Sequence, residues 1–207
     1  MQRFTATLVA EGSSDQALVP FIEFALDAYC TIPHVTTFAN DLVKGALSER
    51  IAQALLMHPC DLLFVHRDAD RTTVAVREQE IRNAALAAGR DLAVCVVPVR
   101  MTEAWLLVDP LAIRRAASNP AGGSDLALPS ITRLESLTDP KRTLFAALEI
   151  ASGLGPNRLR QFDRYRARRQ VSGFMEDVSM LRQLPSFLHF EAQVQRFFRD
   201  AVVRNAC

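Results

Sequence analysis

Apolar residues in the first half of the chain alternate between two textures. Short continuous runs occur at Phe4 to Ala10, Leu62 to His66 and Leu92 to Val99, with a weaker one at Val35 to Ala39. Between them the apolar positions recur at helical spacing, as in Leu18, Phe21, Ile22, Phe24 and Ala25. Continuous runs of strand length separated by amphipathic helices predict a parallel sheet covered on both faces. Helices are expected over Leu42 to Met57, stopped by Pro59, and over Thr72 to Ala88, stopped by Gly89. Ala117 to Pro129 is rich in Ser, Asn, Pro and Gly and reads as a loop or mobile flap. Beyond it only helices are expected, over about Pro140 to Ser152, Gly173 to Leu184 and Ser186 to Val203. The expected division is an α/β core over 1–116 and a loop with a C-terminal helical extension over 117–207, packed as one compact domain.

Composition narrows this only a little. Hydrophobic residues make up 49% of 207, enough for a substantial core. Lys and Arg number 24 against 23 Asp and Glu, so net charge neither requires nor excludes a nucleic-acid partner. Cys30, Cys60, Cys95 and Cys207 show no paired spacing for zinc, and free thiols in a reducing compartment are expected, with Cys95 in the core. No apolar run approaches a membrane span and the N-terminus lacks a signal-like stretch, so the expected location is cytoplasmic, with no membrane partner.

The candidate chemistry lies where the strands end, since open parallel sheets collect function at their carboxyl edge. The first strand ends in Glu11, the third in Asp68-Ala69-Asp70, and Glu103 follows the fourth. Carboxylates converging there would suit a hard divalent cation and phosphoester chemistry. Acids at strand ends also serve as turn and cap residues, and Asp15 fits either role. Trp105 reads as a core anchor and His66 as a buried or site-wall residue, while His34, His58 and His189 form no pattern. Lys141, beside Arg142 at a helix start, either contacts phosphate or is a solvated first-turn cation. Arg158, Arg160, Arg164, Arg166, Arg168 and Arg169 crowd one segment with Phe162 and Tyr165, which suits nucleic acid but also an ordinary solvated helix face.

Glu11-Gly12-Ser13-Ser14-Asp15 after one strand and Asp68-Ala69-Asp70 after another resemble the TOPRIM domain of topoisomerases, primases and overcoming-lysogenization-defect nucleases. With Glu103-Ala104-Trp105-Leu106-Leu107, Asp109-Pro110 and Asp139-Pro140-Lys141, most of the chain is similar to a TOPRIM-related bacterial family, domain of unknown function number 4276. The resemblance implies a TOPRIM-like, Rossmann-like fold. It also implies a magnesium site at Glu11, Asp68 and Asp70, with manganese as the alternative cation, and a partner ATPase of the ABC or AAA type in a phage-defence-like setting. The expectation is a metal-dependent nuclease using Glu11, Asp68, Asp70, Glu103 and Lys141, with DNA ahead of RNA as substrate. Asp15, Arg71 and Asp109 are secondary candidates. Two alternatives stay open: a haloacid-dehalogenase-like phosphatase with Asp68 as nucleophile in Asp68-x-Asp70-x-Thr72, and a non-catalytic scaffold for an ATPase.

Overall fold

A computed structural model describes residues 3–40 and 42–205, with side chains up to 200; Cys207 lies outside the described residues. The order of elements is β1 (Phe4–Val9), α1 (Val19–Tyr29), β2 (His34–Phe38), α2 (Leu47–Met57), β3 (Leu62–His66), α3 (Val74–Ala87) and β4 (Ala93–Val96). Then come α4 (Glu103–Leu106), α5 (Pro110–Ala116), α6 (Pro140–Ser152), α7 (Pro156–Leu159), α8 (Arg164–Gln170) and α9 (Pro185–Asn205). The four strands form one all-parallel sheet in the order β2-β1-β3-β4, the α/β Rossmann-like arrangement expected of alternating apolar runs and helices. β3 is buried along its whole length because strands flank it on both edges and helices cover both faces.

Successive side chains of a strand point to opposite faces, which splits the core in two. Leu63 and Val65 join Ile51 and Ala54 of α2 and Ile81 and Ala85 of α3 on one face. Leu62 and Phe64 join α1 and α9 on the other, where Trp105 is fully buried. Its ring packs on Phe21, Phe187 and Phe190, and its Nε1–H donates to Ser186 Oγ at 2.9 Å. Trp105 is thus the core anchor it was read as. The exposed side of β4 is closed by α9: Gln193 accepts from the Cys95 N–H at 3.1 Å and donates to the Cys95 carbonyl at 3.2 Å. A side-chain amide so mimics a further strand and blunts an edge that would otherwise offer its backbone to another chain.

Several boundaries differ from the periodicity. α2 starts at Leu47 rather than Leu42, because Glu49 reaches back to the Ala46 N–H at 3.0 Å and Gln53 accepts the Val43 N–H at 2.6 Å, which holds the preceding stretch as a turn. The helix expected over Gly173 to Leu184 is two short 3-10 turns, Ser172–Phe174 and Val178–Gln183, the second opened by Asp177 accepting the Ser179 N–H. The irregular segment after α5 is pinned at two points: Asn119 Nδ2 donates to the Ala151 carbonyl at 2.8 Å, and Leu126 enters the core. Cys95 is buried among apolar neighbours, which push its thiol up to about 12. No described helix is long and apolar enough to cross a membrane.

Candidate functional site

β1 runs one way to β2 while β3 lies on its other side, so the chain reverses its winding between β1 and β3. That reversal opens a crevice at the carboxyl ends of these two strands. The turn after β1 carries Glu11, Gly12 and Asp15; the turn after β3 carries Arg67, Asp68 and Asp70. The loop after β4 is stitched onto the second turn, because the Ala69 N–H donates to the Pro98 carbonyl at 3.1 Å and the Asp70 N–H to the Arg100 carbonyl at 2.7 Å. Asp70 sits at φ 52, a left-handed conformation that aspartate tolerates better than most residues.

The inner part of the crevice is a polar pocket in an otherwise apolar layer. Asp68 Oδ1 accepts the Thr102 N–H at 2.8 Å and lies 3.5 Å from His66 Nε2. His66 is fully buried; its Nδ1 is 3.0 Å from the Val96 carbonyl, so that nitrogen carries the proton and Nε2 faces the carboxylates. Asp15, 7% exposed, folds back to accept the Gly12 N–H at 3.0 Å and comes within 3.9 Å of His66. It therefore serves as a turn residue and a pocket wall together. Glu103 is 3% exposed and accepts from Arg168 Nε at 3.0 Å. The same guanidinium lies 3.8 Å from Asp15 and donates to the Ser14 carbonyl. Burial raises the Asp68 carboxyl to about 6; the charges of Glu103 and Asp15 add to the rise, while His66 and the Thr102 N–H oppose it.

The outer acids are placed differently. Glu11 is exposed and forms an ion pair with Arg67, whose Nε sits 2.5 Å from Oε1 but off the N–H axis. Asp70 is exposed and accepts from Arg77 Nη2 at 3.1 Å; Arg77 also donates to the Asp68 carbonyl at 2.9 Å and to Glu80. Thus Asp15, Asp68 and Glu103 are brought together, while Glu11 and Asp70 stand outside them against arginines. Among the described residues, no group of three or more His, Cys, Asp or Glu side chains is positioned to hold a metal ion. The donor chemistry nonetheless suits a hard divalent cation. All the acidic groups offer oxygen, and Asp68 has no arginine of its own: the Arg168 guanidinium faces Glu103 and Asp15, while burial first, and then the charges of those two acids, raise the Asp68 carboxyl.

The remaining candidates separate in the same way. Asp109 is the N-cap of α5, accepting the Leu111 and Ala112 N–H groups at 2.8 and 3.0 Å. Lys141 is exposed in the first turn of α6 and lies 5.9 Å from the Phe145 ring. Arg158, Arg160, Arg164, Arg166 and Arg169 are exposed, in keeping with either a solvated face or a phosphate-binding one. Arg168 departs from that group. It is 4% exposed, and its guanidinium is committed to Glu103, so it belongs to the carboxylate pocket and not to the surface. Arg71 borders a cleft of about 630 Å³ with Asp70, Arg77, Arg100 and Asp139. The sequence reading passed over Arg67, Arg77, Arg100 and Thr102. For Arg67, Arg100 and Thr102 the available signal was position, since each follows a strand end within a few residues; Arg77 lies in the first turn of α3 and carried no such signal. The chain matches no family model, no curated protein and no solved structure.

Proposed function

We propose that the protein is a divalent-metal-dependent phosphodiesterase acting on nucleic acid, with its reaction centre in the crevice between the carboxyl ends of β1 and β3. The observation that carries this reading is Asp68. Its carboxylate is held by the Thr102 N–H and His66, has 22% of its side chain open to solvent, and is raised to about 6 by burial beside two further carboxylates. A carboxylate kept under like-charge stress in a crevice, rather than neutralised by its own arginine, is a group arranged for function. Asp68 with Glu11 and Asp70 would hold magnesium or manganese, which supplies charge neutralisation at the phosphate oxygens and activation of a water. For Glu11 and Asp70 this requires release from Arg67 and Arg77, both of which then face the substrate's phosphate. Arg168 and Glu103 act as a buried brace that fixes the pocket wall. Hydrolysis forms one P–O bond from water and breaks the other, one product leaving with a phosphate and the other with a hydroxyl.

The test is a cleavage assay on single- and double-stranded DNA and RNA with magnesium or manganese, comparing wild type with Asp68→Ala. Metal-dependent cleavage lost in the variant supports the reading. No cleavage of any substrate by wild type overturns it. A second reading, a non-catalytic partner of an ABC-type or AAA ATPase, is favoured by the ion pairs that already engage Glu11, Asp70 and Glu103. Copurification of an ATPase with no metal-dependent cleavage by the complex supports that second reading.

A further inference from the structure

The cleft of about 630 Å³ bordered by Asp70, Arg71, Arg100 and Asp139 adjoins a second one of about 450 Å³, bordered by Asp139, Lys141, Arg142, Phe145 and Arg164. Asp139 lines both, so the two clefts are neighbours that meet at it, and its carboxylate is occupied in capping α6 by accepting the Arg142 N–H at 2.9 Å. The acids nearby are already committed: Asp70 and Glu80 to Arg77, and Glu149 to Arg164. Among the described residues, Arg71, Arg100, Lys141 and Arg142 pair with no acidic side chain, and the structure leaves four cations facing solvent along one groove. Tyr165, packed against Phe145 and Arg164 of the second cleft's lining, is 53% exposed. Its ring is held edge-on to Phe145 at 5.1 Å, with the Arg164 guanidinium 5.6 Å from its centroid. An exposed aromatic ring packed on the wall of a cationic cleft, next to a guanidinium, is an arrangement that can receive an unstacked base.

We propose that this groove binds single-stranded nucleic acid: phosphates lie along Arg71, Arg100, Lys141 and Arg142, and a base stacks on Tyr165. The inference rests on the phosphodiesterase reading for its direction, since the groove starts at Asp70 and leads the strand toward Asp68. A paired duplex presents no open base face to Tyr165, so the groove favours a single strand over it. It also assigns substrate binding to cations that lie on three separate segments of the chain, rather than to the arginine-rich stretch as a whole.

The test measures binding without catalysis, by fluorescence anisotropy of a labelled thymidine 16-mer and of a mixed-sequence duplex, in chelator, over a range of salt. Wild type should bind the single strand at least tenfold tighter than the duplex. Tyr165→Ala should weaken single-strand binding roughly tenfold, the loss of one stacked base. Arg71→Gln with Arg100→Gln should weaken it and lower the slope of log affinity against log salt by about 1.4, as two fewer phosphate contacts release counterions. Unchanged thermal melts of these variants, at the exposed Arg71 and Tyr165 and the half-buried Arg100, show that the fold is kept. Equal or tighter duplex binding, a double variant with wild-type affinity and slope, or no binding to either oligonucleotide overturns the proposal. Because no metal is present, loss of cleavage in Asp68→Ala speaks only to the phosphodiesterase reading, and intact binding without any cleavage leaves the groove standing while that reading falls.

Discussion

Arg168 and Arg71 are the same residue type in opposite situations. Arg168 is buried against Glu103 and Asp15 at the inner wall of the crevice, whereas Arg71 projects into an open cleft with no acid assigned to it. In the inner region every charge has a counter-charge or a hydrogen-bond donor, and the cost of burial falls on Asp68. In the outer region cations outnumber free carboxylates, and water pays for their hydration. On the proposed function, the inner region would be the reaction pocket and the outer one the surface that collects an anionic chain. Burial separates the two more sharply than residue identity does.

The comparison breaks most readily at Arg168. Removing one partner of a buried ion pair strands the other charge, so Arg168→Met should destabilise the protein by about 3–5 kcal/mol in urea unfolding. Arg169→Met, one residue away and exposed, should stay within about 0.5 kcal/mol. Similar losses at both positions would mean that Arg168 is not part of a buried brace.

Asp68 gives the next largest effect, with a definite sign. Its carboxyl titrates near 6 in the folded chain against an ordinary value of 3.8, so protonation favours the folded state. The stability this contributes is fully present below the unfolded value and is lost as pH rises through about 6. In chelator, Asp68→Asn should therefore be more stable than wild type at pH 7 and above, by on the order of 2 kcal/mol. The difference should shrink toward pH 4, because asparagine keeps an oxygen for the Thr102 N–H. Thermal melts of both proteins from pH 4 to pH 8 measure it; curves that stay parallel across the range would place Asp68 in an ordinary solvated turn.

Glu11 and Asp70 should give the smallest effects on the metal-free protein. Both acids are exposed, paired with half-buried arginines, and such solvent-screened ion pairs contribute at most about 1 kcal/mol. Glu11→Gln and Asp70→Asn should then leave the chelated melt almost unmoved but reduce the upward shift that millimolar magnesium produces in wild type. A magnesium shift of the same size in all three proteins would remove both residues from the cation site.

How far these features were legible beforehand follows physical range. β3 was legible because a strand buried on both faces needs a continuous apolar run, and Leu62 to His66 is one. α6 was legible at both ends because Asp139-Pro140 caps its start and Gly153 takes the left-handed conformation that stops it. Residues 173–184 were expected as helix, yet the segment is two 3-10 turns, of which the second is capped by Asp177. The strand-end location of Asp68 and Glu103 was legible from the alternation of elements. Their partners were not: Arg168 reaches Glu103 across 65 residues and Thr102 reaches Asp68 across 34, and no periodicity encodes a contact at that separation. Arg168 was hidden further by its neighbours, since five exposed arginines around it make the whole segment look like surface.

Phosphodiester cleavage by wild type, and its loss in Asp68→Asn, tests the reaction centre most directly. In a single-turnover assay with magnesium and an end-labelled single strand, wild type should cleave, and Asp68→Asn should stay at the uncatalysed background at every protein concentration. The Arg71→Gln, Arg100→Gln double variant should lose cleavage at low protein concentration and regain part of it as concentration rises. Wild-type rates from Asp68→Asn would contradict the assignment of the inner pocket as the reaction centre.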